Sequence, residues 1–320
     1  MTTPPTGWPG NPPDLTKPAA PAKTPTPAPD VIDLATGKEL DYLAVAQLQG
    51  AKRVHLIVVA GPVGAGKTTL LTTLHDLFQV GKILGHSFAW SRTLPAFERR
   101  CYLSRTASER AMQDTERTPV GEVRYLHVQI SGPGLPADPL DLLFTDVSGE
   151  TFERARDSIS ECKQLTFLQT ADHFLLLIDC EKLIDLKERN KTIYRSMSLL
   201  RSCLDSGMLG NFCFVNVLWT KYDWIVAAGD GEHLSFLEKA SEEFKKQFGS
   251  RVGRLSFTKV AARPEKTEDL EFGFGIPDLL KEWANDSPRD REMNIVPDNE
   301  EASRESEKFL ERHFRAAQDA

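Results

Sequence analysis

Short apolar runs alternate with helical patterns along the chain from residue 53 onward. The runs cover residues 53–60, 123–130, 142–146, 173–179, 212–219 and 254–260. Each has the length of a buried strand, and strands that alternate with helices are typical of a parallel sheet. The pattern therefore predicts an α/β fold, in which a six-stranded, mostly parallel sheet lies between two layers of helices.

The helical patterns fall between these runs. After the first run, apolar residues at helical spacing predict one buried face, formed by Leu70, Leu71, Leu74, Leu77 and Phe78, and Gly81 supplies a stop signal. Further helices are predicted over residues 153–169, 188–205, 233–248 and 277–285. The turn-rich stretch SGPGLPADP after the second run predicts a hairpin, so we expect one antiparallel strand at the edge of the sheet.

The two ends of the chain have a different composition. Ten of the 20 prolines fall in residues 1–30, which predicts a disordered tail serving as a linker or as a ligand for a proline-binding domain. Residues 31–52 form a lead-in segment, and the globular domain covers residues 53–286. A charged linker over 287–299 precedes a C-terminal helix over 300–320, which either docks on the domain or contacts a partner.

Composition narrows the class of protein. A net charge of −7 argues against general binding to nucleic acid or to an anionic membrane. The five cysteines include no CxxC pair and lie in apolar surroundings, as expected for reduced core thiols. The chain shows neither a signal peptide nor an apolar stretch long enough to span a bilayer, so we expect a cytoplasmic protein.

The stretch AGPVGAGKTTLL carries the strongest chemical signal. It has the pattern GxxxxGKT between the first strand and the first helix of the domain. Backbone N–H groups in such a loop cradle phosphates, the lysine reaches the β and γ phosphates, and the threonine hydroxyl ligates Mg²⁺. The predicted nucleotide-binding positions are Gly61, Gly64, Ala65, Gly66, Lys67, Thr68 and Thr69.

A second stretch, DVSGE, follows the third strand. Asp146 is placed to orient the metal, since Mg²⁺ bound to phosphates needs an acid from a neighbouring strand. The N–H of Gly149 would sense the γ-phosphate and make the following segment a nucleotide-dependent switch.

The stretch TKYD, after the fifth strand, is predicted to read the base. A carboxylate at Asp223 can accept hydrogen bonds from two donors on the guanine edge that adenine does not present together, while the Lys221 stem packs along the ring. After the sixth strand, the small residues Ala261 and Ala262 would let backbone N–H groups approach the guanine oxygen.

In this order, GPVGAGKT, DVSGE, TKYD and VAAR resemble the phosphate, Mg²⁺ and base loops of Ras-like GTPases. More narrowly, residues 91–118 together with YLHVQI and FTDVSGE resemble the bacterial double-GTPase family, whose members are predicted parts of conflict or defence systems. The resemblance covers about residues 53–285. It implies a Ras-like P-loop NTPase fold, the cofactors GTP or GDP and Mg²⁺, and a first-switch threonine as a further metal ligand.

Some assignments stay open or depart from the family pattern. Thr118 is our choice for the first-switch threonine over Thr115, because it lies nearer the second strand. Arg117 is either a built-in catalytic arginine or a surface charge. Thr220 stands where the family has Asn, which predicts the loss of one loop-bracing hydrogen bond, and Glu150 stands where the family has a water-orienting Gln.

The expected function is that of a slow Mg²⁺-dependent GTPase acting as a molecular switch, with Lys67, Gly149, Glu150, Arg117 and Thr118 around the reacting phosphate. The alternatives are a nucleotide-gated scaffold without turnover, or a P-loop ATPase or kinase. The expected partner is an effector or regulator protein, which includes the case of a second GTPase; no nucleic acid is expected.

Overall fold

The computed structural model describes residues 37–52, 54–109, 123–135, 137–229 and 231–285. Its strands are β1 (Val54–Ala60), β2 (Ser87–Trp90), β3 (Arg124–Ser131), β4 (Leu140–Asp146), β5 (His173–Asp179), β6 (Phe214–Thr220) and β7 (Arg254–Val260). Its helices are α1 (Tyr42–Ala51), α2 (Lys67–Val80), α3 (Leu94–Glu109), α4 (Gly149–Asp157), α5 (Ile159–Lys163), α6 (Glu181–Ile184), α7 (Arg189–Asp205), α8 (Asp223–Ala228), α9 (Gly231–Phe248) and α10 (Ile276–Asn285), with a 3₁₀ turn at Thr166–Thr170.

The strands form one sheet in the order β2-β3-β4-β1-β5-β6-β7. β1 lies between β4 and β5 and is parallel to both, and the parallel pairing continues through β6 to β7. β3 is antiparallel to β4. The carboxyl ends of β1, β4, β5, β6 and β7 therefore meet at one edge of the sheet.

Side chains of alternating strand residues build a separate core on each face of the sheet. On one face, Leu56 and Val58 of β1 join the apolar residues of α1, α4, α7 and α9. On the other face, Ile57 and Val59 join those of α2, α3 and α10. The predicted three-layer α/β/α sandwich is confirmed.

The strand count and the position of the antiparallel strand differ from the expectation. The sheet has seven strands rather than six, because the short strand β2 pairs with β3 along its outer side. β3 is the one antiparallel strand, but β2 covers it, so it does not lie at the edge. β2 has only four residues, which are mostly half-buried in the structure. So short a run gave no strand signal in the sequence.

The helix predicted over residues 153–169 is also wrong in detail. It starts earlier, at Gly149, and Ser158 divides it into α4 and α5. Ser158 has extended backbone angles, and its side chain accepts a hydrogen bond from the Glu161 N–H at 3.4 Å, so it caps the next helix.

The lead-in segment contributes a helix to the domain. The Asp41 side chain caps α1 by accepting from the Ala44 N–H at 2.8 Å, and Val45 and Leu48 are buried in the core. All five cysteines are buried, as expected. Within the described residues, no helix has both the length and the apolar character needed to cross a membrane. The predicted tail, the linker and the C-terminal helix lie outside the described residues.

A buried polar cluster attaches α3 to the sheet. The Asp141 carboxylate lies 2.5 Å from His127 Nε2 and 3.0 Å from Lys52 Nζ, and both His127 and Asp141 are fully buried. His127 Nδ1 accepts from the Arg92 N–H at 3.0 Å, and the Ser91 hydroxyl donates to the His127 carbonyl at 2.6 Å. The turn that leads into α3 therefore docks on β3 and β4.

We expect Asp141→Asn to lower the free energy of unfolding by about 3 kcal/mol, because it leaves Lys52 and His127 without a charged acceptor in a buried site. The matched control is Asp205→Asn, which breaks the exposed ion pair with Arg251 and should cost at most about 1 kcal/mol. Urea denaturation measures both variants. An equal, small effect for the two would contradict the role assigned to the buried cluster.

Candidate functional site

The loop from Gly61 to Gly66 connects β1 to α2 at the carboxyl edge of the sheet. Gly64 and Gly66 have positive φ angles of 81° and 89°, a region that side chains other than glycine rarely adopt. Thr68 and Thr69 lie in the first turn of α2. The loop therefore has the strand, glycine and helix context of a phosphate-binding loop, in which the helix N-terminus favours an anion.

Lys67 folds back over this loop. Its ammonium donates to the Gly61 carbonyl at 2.9 Å and to the Pro62 carbonyl at 3.0 Å. Burial lowers the pKa of Lys67 to about 8, against the opposing effect of the Asp146 and Glu153 carboxylates. Because carbonyl oxygens compensate a buried ammonium only in part, an anionic ligand such as a phosphate is its natural partner.

Asp146 ends β4 beside the loop and is nearly buried. The Arg100 guanidinium on α3 forms a short ion pair with it and also donates to Glu39 at 2.7 Å. Glu39 and Asp146 together raise the pKa of Arg100, although burial acts against this. The acid that the sequence predicts to orient the metal thus lies next to Lys67, and it is already paired with Arg100 of the same chain.

Gly149 touches the phosphate loop directly. A Cβ at this position would lie 2.4 Å from the Val63 nitrogen and 2.6 Å from the Pro62 carbonyl carbon, distances that no side chain tolerates. Ser148 caps α4 by accepting from the Glu150 N–H, and Glu150 itself is exposed. The backbone at the start of α4 therefore packs directly against the phosphate loop.

Thr220, at the end of β6, braces the phosphate loop. Its hydroxyl lies 2.9 Å from the Ala65 carbonyl and 3.1 Å from the Ile178 carbonyl, and it has one proton to donate between them. Because Asn is absent at this position, we expected one hydrogen bond that braces the loop to be lost. The structure instead keeps a side-chain contact between this position and the loop. Threonine makes this contact with the loop through a shorter side chain.

Lys221 has a positive φ of 53° and lies between two acids. Its ammonium donates to Asp179 at 2.9 Å and to Glu181 at 2.6 Å. Burial acts to lower the pKa of Lys221, but these two carboxylates outweigh it and raise the pKa. The ammonium is therefore held at the end of β5, and the packing of its aliphatic stem along a base stays a prediction.

Asp223 is buried at the start of α8 and is held by the loop after β7. Its Oδ2 accepts from the N–H groups of Glu265 and Lys266 at 3.1 Å and 3.2 Å. Two donors on one oxygen orient the carboxylate and direct Oδ1 away from them. The Ala261 N–H donates to the Phe274 carbonyl at 3.1 Å and is therefore engaged within the chain, whereas the predicted contact of Ala262 with the base stays a prediction.

The structure brings together the predicted residues of the phosphate loop, DVSGE and TKYD at one edge of the sheet. Thr115, Arg117 and Thr118 lie outside the described residues, so their roles remain predictions. Sequence reasoning did not identify Asp179 or Glu39 as site residues, and it did not distinguish Arg100 from the other arginines of its segment. The position of Asp179 at the end of a buried strand was the available signal for that residue.

We expect Thr220→Val to weaken nucleotide binding by about three- to tenfold, because the valine keeps the shape but leaves the Ala65 carbonyl without its donor. Fluorescent-nucleotide titration measures the affinity. The control is Thr258→Val in β7. It removes a hydroxyl that accepts a hydrogen bond from the Asn216 side chain of β6 at 3.0 Å, away from the loop. Equal affinities for both variants would remove the brace from the binding mechanism.

The sequence model of the family described as Double-GTPase 2 matches residues 55–284. No curated protein gives a significant match. The GTPase-like domain of S. cerevisiae Ski7 is similar in two structures, one bound to GDP and inorganic phosphate and one bound to GTP, at 15% identity.

The TM-scores of these two structures are 0.42 and 0.41, and they cover 79% and 81% of this chain. The chain in turn spans only about half of their length, 53% and 54%. The family match, by contrast, covers most of the sequence and includes all four motif stretches. It confirms the resemblance inferred from the motifs: the protein belongs to the Double-GTPase 2 family.

Proposed function

We propose that the protein binds GTP and GDP with Mg²⁺, hydrolyses GTP slowly, and acts as a nucleotide-dependent switch. The observation that carries this proposal is the convergence of Lys67, Asp146 and Asp223 at the carboxyl ends of neighbouring parallel strands. Ligands bind at this edge in open α/β sheets. The family match supports guanine as the base.

The groups around Asp146 fit a magnesium ion. Mg²⁺ prefers oxygen ligands and usually takes one or two from the protein and the rest from water and phosphates. The Thr68 hydroxyl, one residue after Lys67, and the Asp146 carboxylate, which acts electrostatically on Lys67, would supply such oxygens. When bound, the metal would offset charge on the β and γ phosphates, and Thr118 is our proposed third protein ligand.

Hydrolysis would proceed by in-line attack of water on the γ-phosphate, with positioning and charge stabilisation from the chain. Lys67 would leave the loop carbonyls for the phosphates, and the Gly149 N–H would contact the γ-phosphate. Glu150 lies in the first turn of α4 and would accept a hydrogen bond from the attacking water. Its negative charge beside the phosphates supports a slow rate, and Arg117 is the proposed source of compensating charge.

The setting and the partners are proposals from the same resemblance. We propose a cytoplasmic role, which the five buried thiols support. The partner would be an effector, a regulator or a second GTPase, in a bacterial conflict or defence system. The switch would act through α4, because its first residue packs against the phosphate loop.

Binding of fluorescent GDP, GTP and ATP with Mg²⁺, followed by multiple-turnover phosphate release, tests the function. We expect selective guanine binding and slow release. Binding of GTP without release would favour the nucleotide-gated scaffold. Preferential binding of ATP would contradict the proposal and favour an ATPase or kinase.

Asp223→Ala should reduce affinity for GDP by about 10- to 100-fold, since it removes a charged acceptor of two guanine donors. Weak binding of ATP should stay unchanged. The control is Asp269→Ala, an exposed acid in the segment that follows β7. Retained guanine preference in the Asp223 variant would refute the base-reading role.

A further inference from the structure

Arg100 bridges the predicted metal site to Glu39 in the lead-in segment, where Arg124 of β3 also lies 3.9 Å from the Glu39 carboxylate. The Arg100 Nη1 donates to Glu39 Oε1 at 2.7 Å, and its Nη2 pairs with Asp146 Oδ2. The side chains of Arg100, Asp146 and Glu39 are only 11%, 8% and 13% exposed. The three groups therefore form a nearly buried chain of charges from the lead-in segment through α3 to the end of β4.

The position of Arg100 follows from packing on both sides of it. Ala96, Phe97 and Cys101 of α3 are buried against α2 and the sheet. Arg100 also donates to the Ala96 carbonyl one turn earlier, at 3.2 Å. The turn before α3 is docked on β3 through His127. The guanidinium is thus delivered to Asp146 by a helix that is anchored elsewhere.

We propose that Arg100 competes with Mg²⁺ for Asp146, so that metal binding weakens the ion pair by which Arg100 links α3 and Glu39 to the end of β4. This inference rests on the proposed function, in which Asp146 orients the metal. Two cations beside one carboxylate repel each other, and the repulsion is strong where few waters screen it. Arg100 also occupies one carboxylate oxygen, which makes Asp146 a weaker acceptor for the metal and its waters.

Glu39 sets the strength of this competition. Its carboxylate offsets part of the guanidinium charge, and it draws Nη1 away from Asp146. Without that charge, Arg100 would repel the metal more strongly. Competition therefore predicts opposite effects on metal affinity for the loss of Arg100 and the loss of Glu39. A purely structural role of either residue would not produce this opposition.

Competition between two ligands of one group is reciprocal. If Arg100 weakens metal binding, metal binding must weaken the contact between Arg100 and Asp146 by the same factor. The consequence is a nucleotide- and metal-dependent change in α3 and in the segment around Glu39. The packing of α3 would then depend on whether the metal site is occupied.

The dissociation rate of fluorescent GDP as a function of free Mg²⁺ measures the competition, because its midpoint reports metal affinity. We expect Arg100→Gln to lower the Mg²⁺ midpoint by about three- to tenfold. Glu39→Gln should raise it by about two- to threefold. Affinity for GDP in EDTA should change less than about twofold in both. Arg99→Gln, an exposed neighbour on α3, removes the same charge and should leave the midpoint at the wild-type value.

An unchanged or raised midpoint in Arg100→Gln overturns the competition and would make Arg100 a group that merely positions Asp146. Should that variant fail to fold, the direction of the Glu39→Gln shift decides, and a lowered or unchanged midpoint overturns the proposal. A wild-type chain that binds no guanine nucleotide contradicts the proposed function itself, and this inference with it.

Hydrogen exchange of the GDP-bound protein provides a readout that does not depend on turnover. Adding Mg²⁺ to the wild type should increase amide exchange within α3, and Arg100→Gln should abolish this dependence on the metal. Exchange in α10, which packs on the same face of the sheet, serves as the internal reference. An α3 that exchanges identically with and without Mg²⁺ in the wild type overturns the proposal.

Discussion

The burial of β1 between two parallel neighbours is the constraint on which the site depends. All seven of its residues are buried, and it pairs with β4 on one side and β5 on the other. Its side chains enter both cores, so a shift of one residue would exchange the two faces. This register brings the loop after Ala60 next to Asp146 and Asp179, and every contact of the phosphate loop follows from it.

A second constraint on the site is the balance of charges at this edge of the sheet. Lys67, Arg100 and Lys221 are each partly or mostly buried, and acids from other elements face them. Arg100 and Lys221 have two carboxylates each, whereas Lys67 donates to loop carbonyls. Since a buried cation is costly without an anion, the site is electrostatically prepared for phosphates at Lys67 and not at the other two.

The additions to the minimal fold are tied to the same edge. β2 and α3 come from the long segment after α2, and α1 comes from the lead-in segment. Asp141 holds Lys52 and His127, and Arg100 holds Glu39, so these pieces are attached to the sheet by charged contacts as well as by apolar packing. Such contacts are sensitive to a nearby charge, and this sensitivity is the basis for the proposed effect of a metal at Asp146 on Arg100.

The sequence by itself determined the four motif stretches, six of the seven strands and the α/β class. These depend on local features: glycines at fixed spacing, apolar runs of strand length, and an acid or lysine at a strand end. Only the tertiary structure decided that Thr220 reaches the Ala65 carbonyl, that Gly149 touches the loop at Val63, and that Arg100 pairs with Asp146. Each of these contacts joins residues far apart in the chain, and no local pattern distinguishes Arg100 from the other arginines of its segment. The pairing of β2 was likewise decided by tertiary contact, because its four residues pair with β3, a distant part of the chain. The break at Ser158, by contrast, is local, since its side chain caps the following helix.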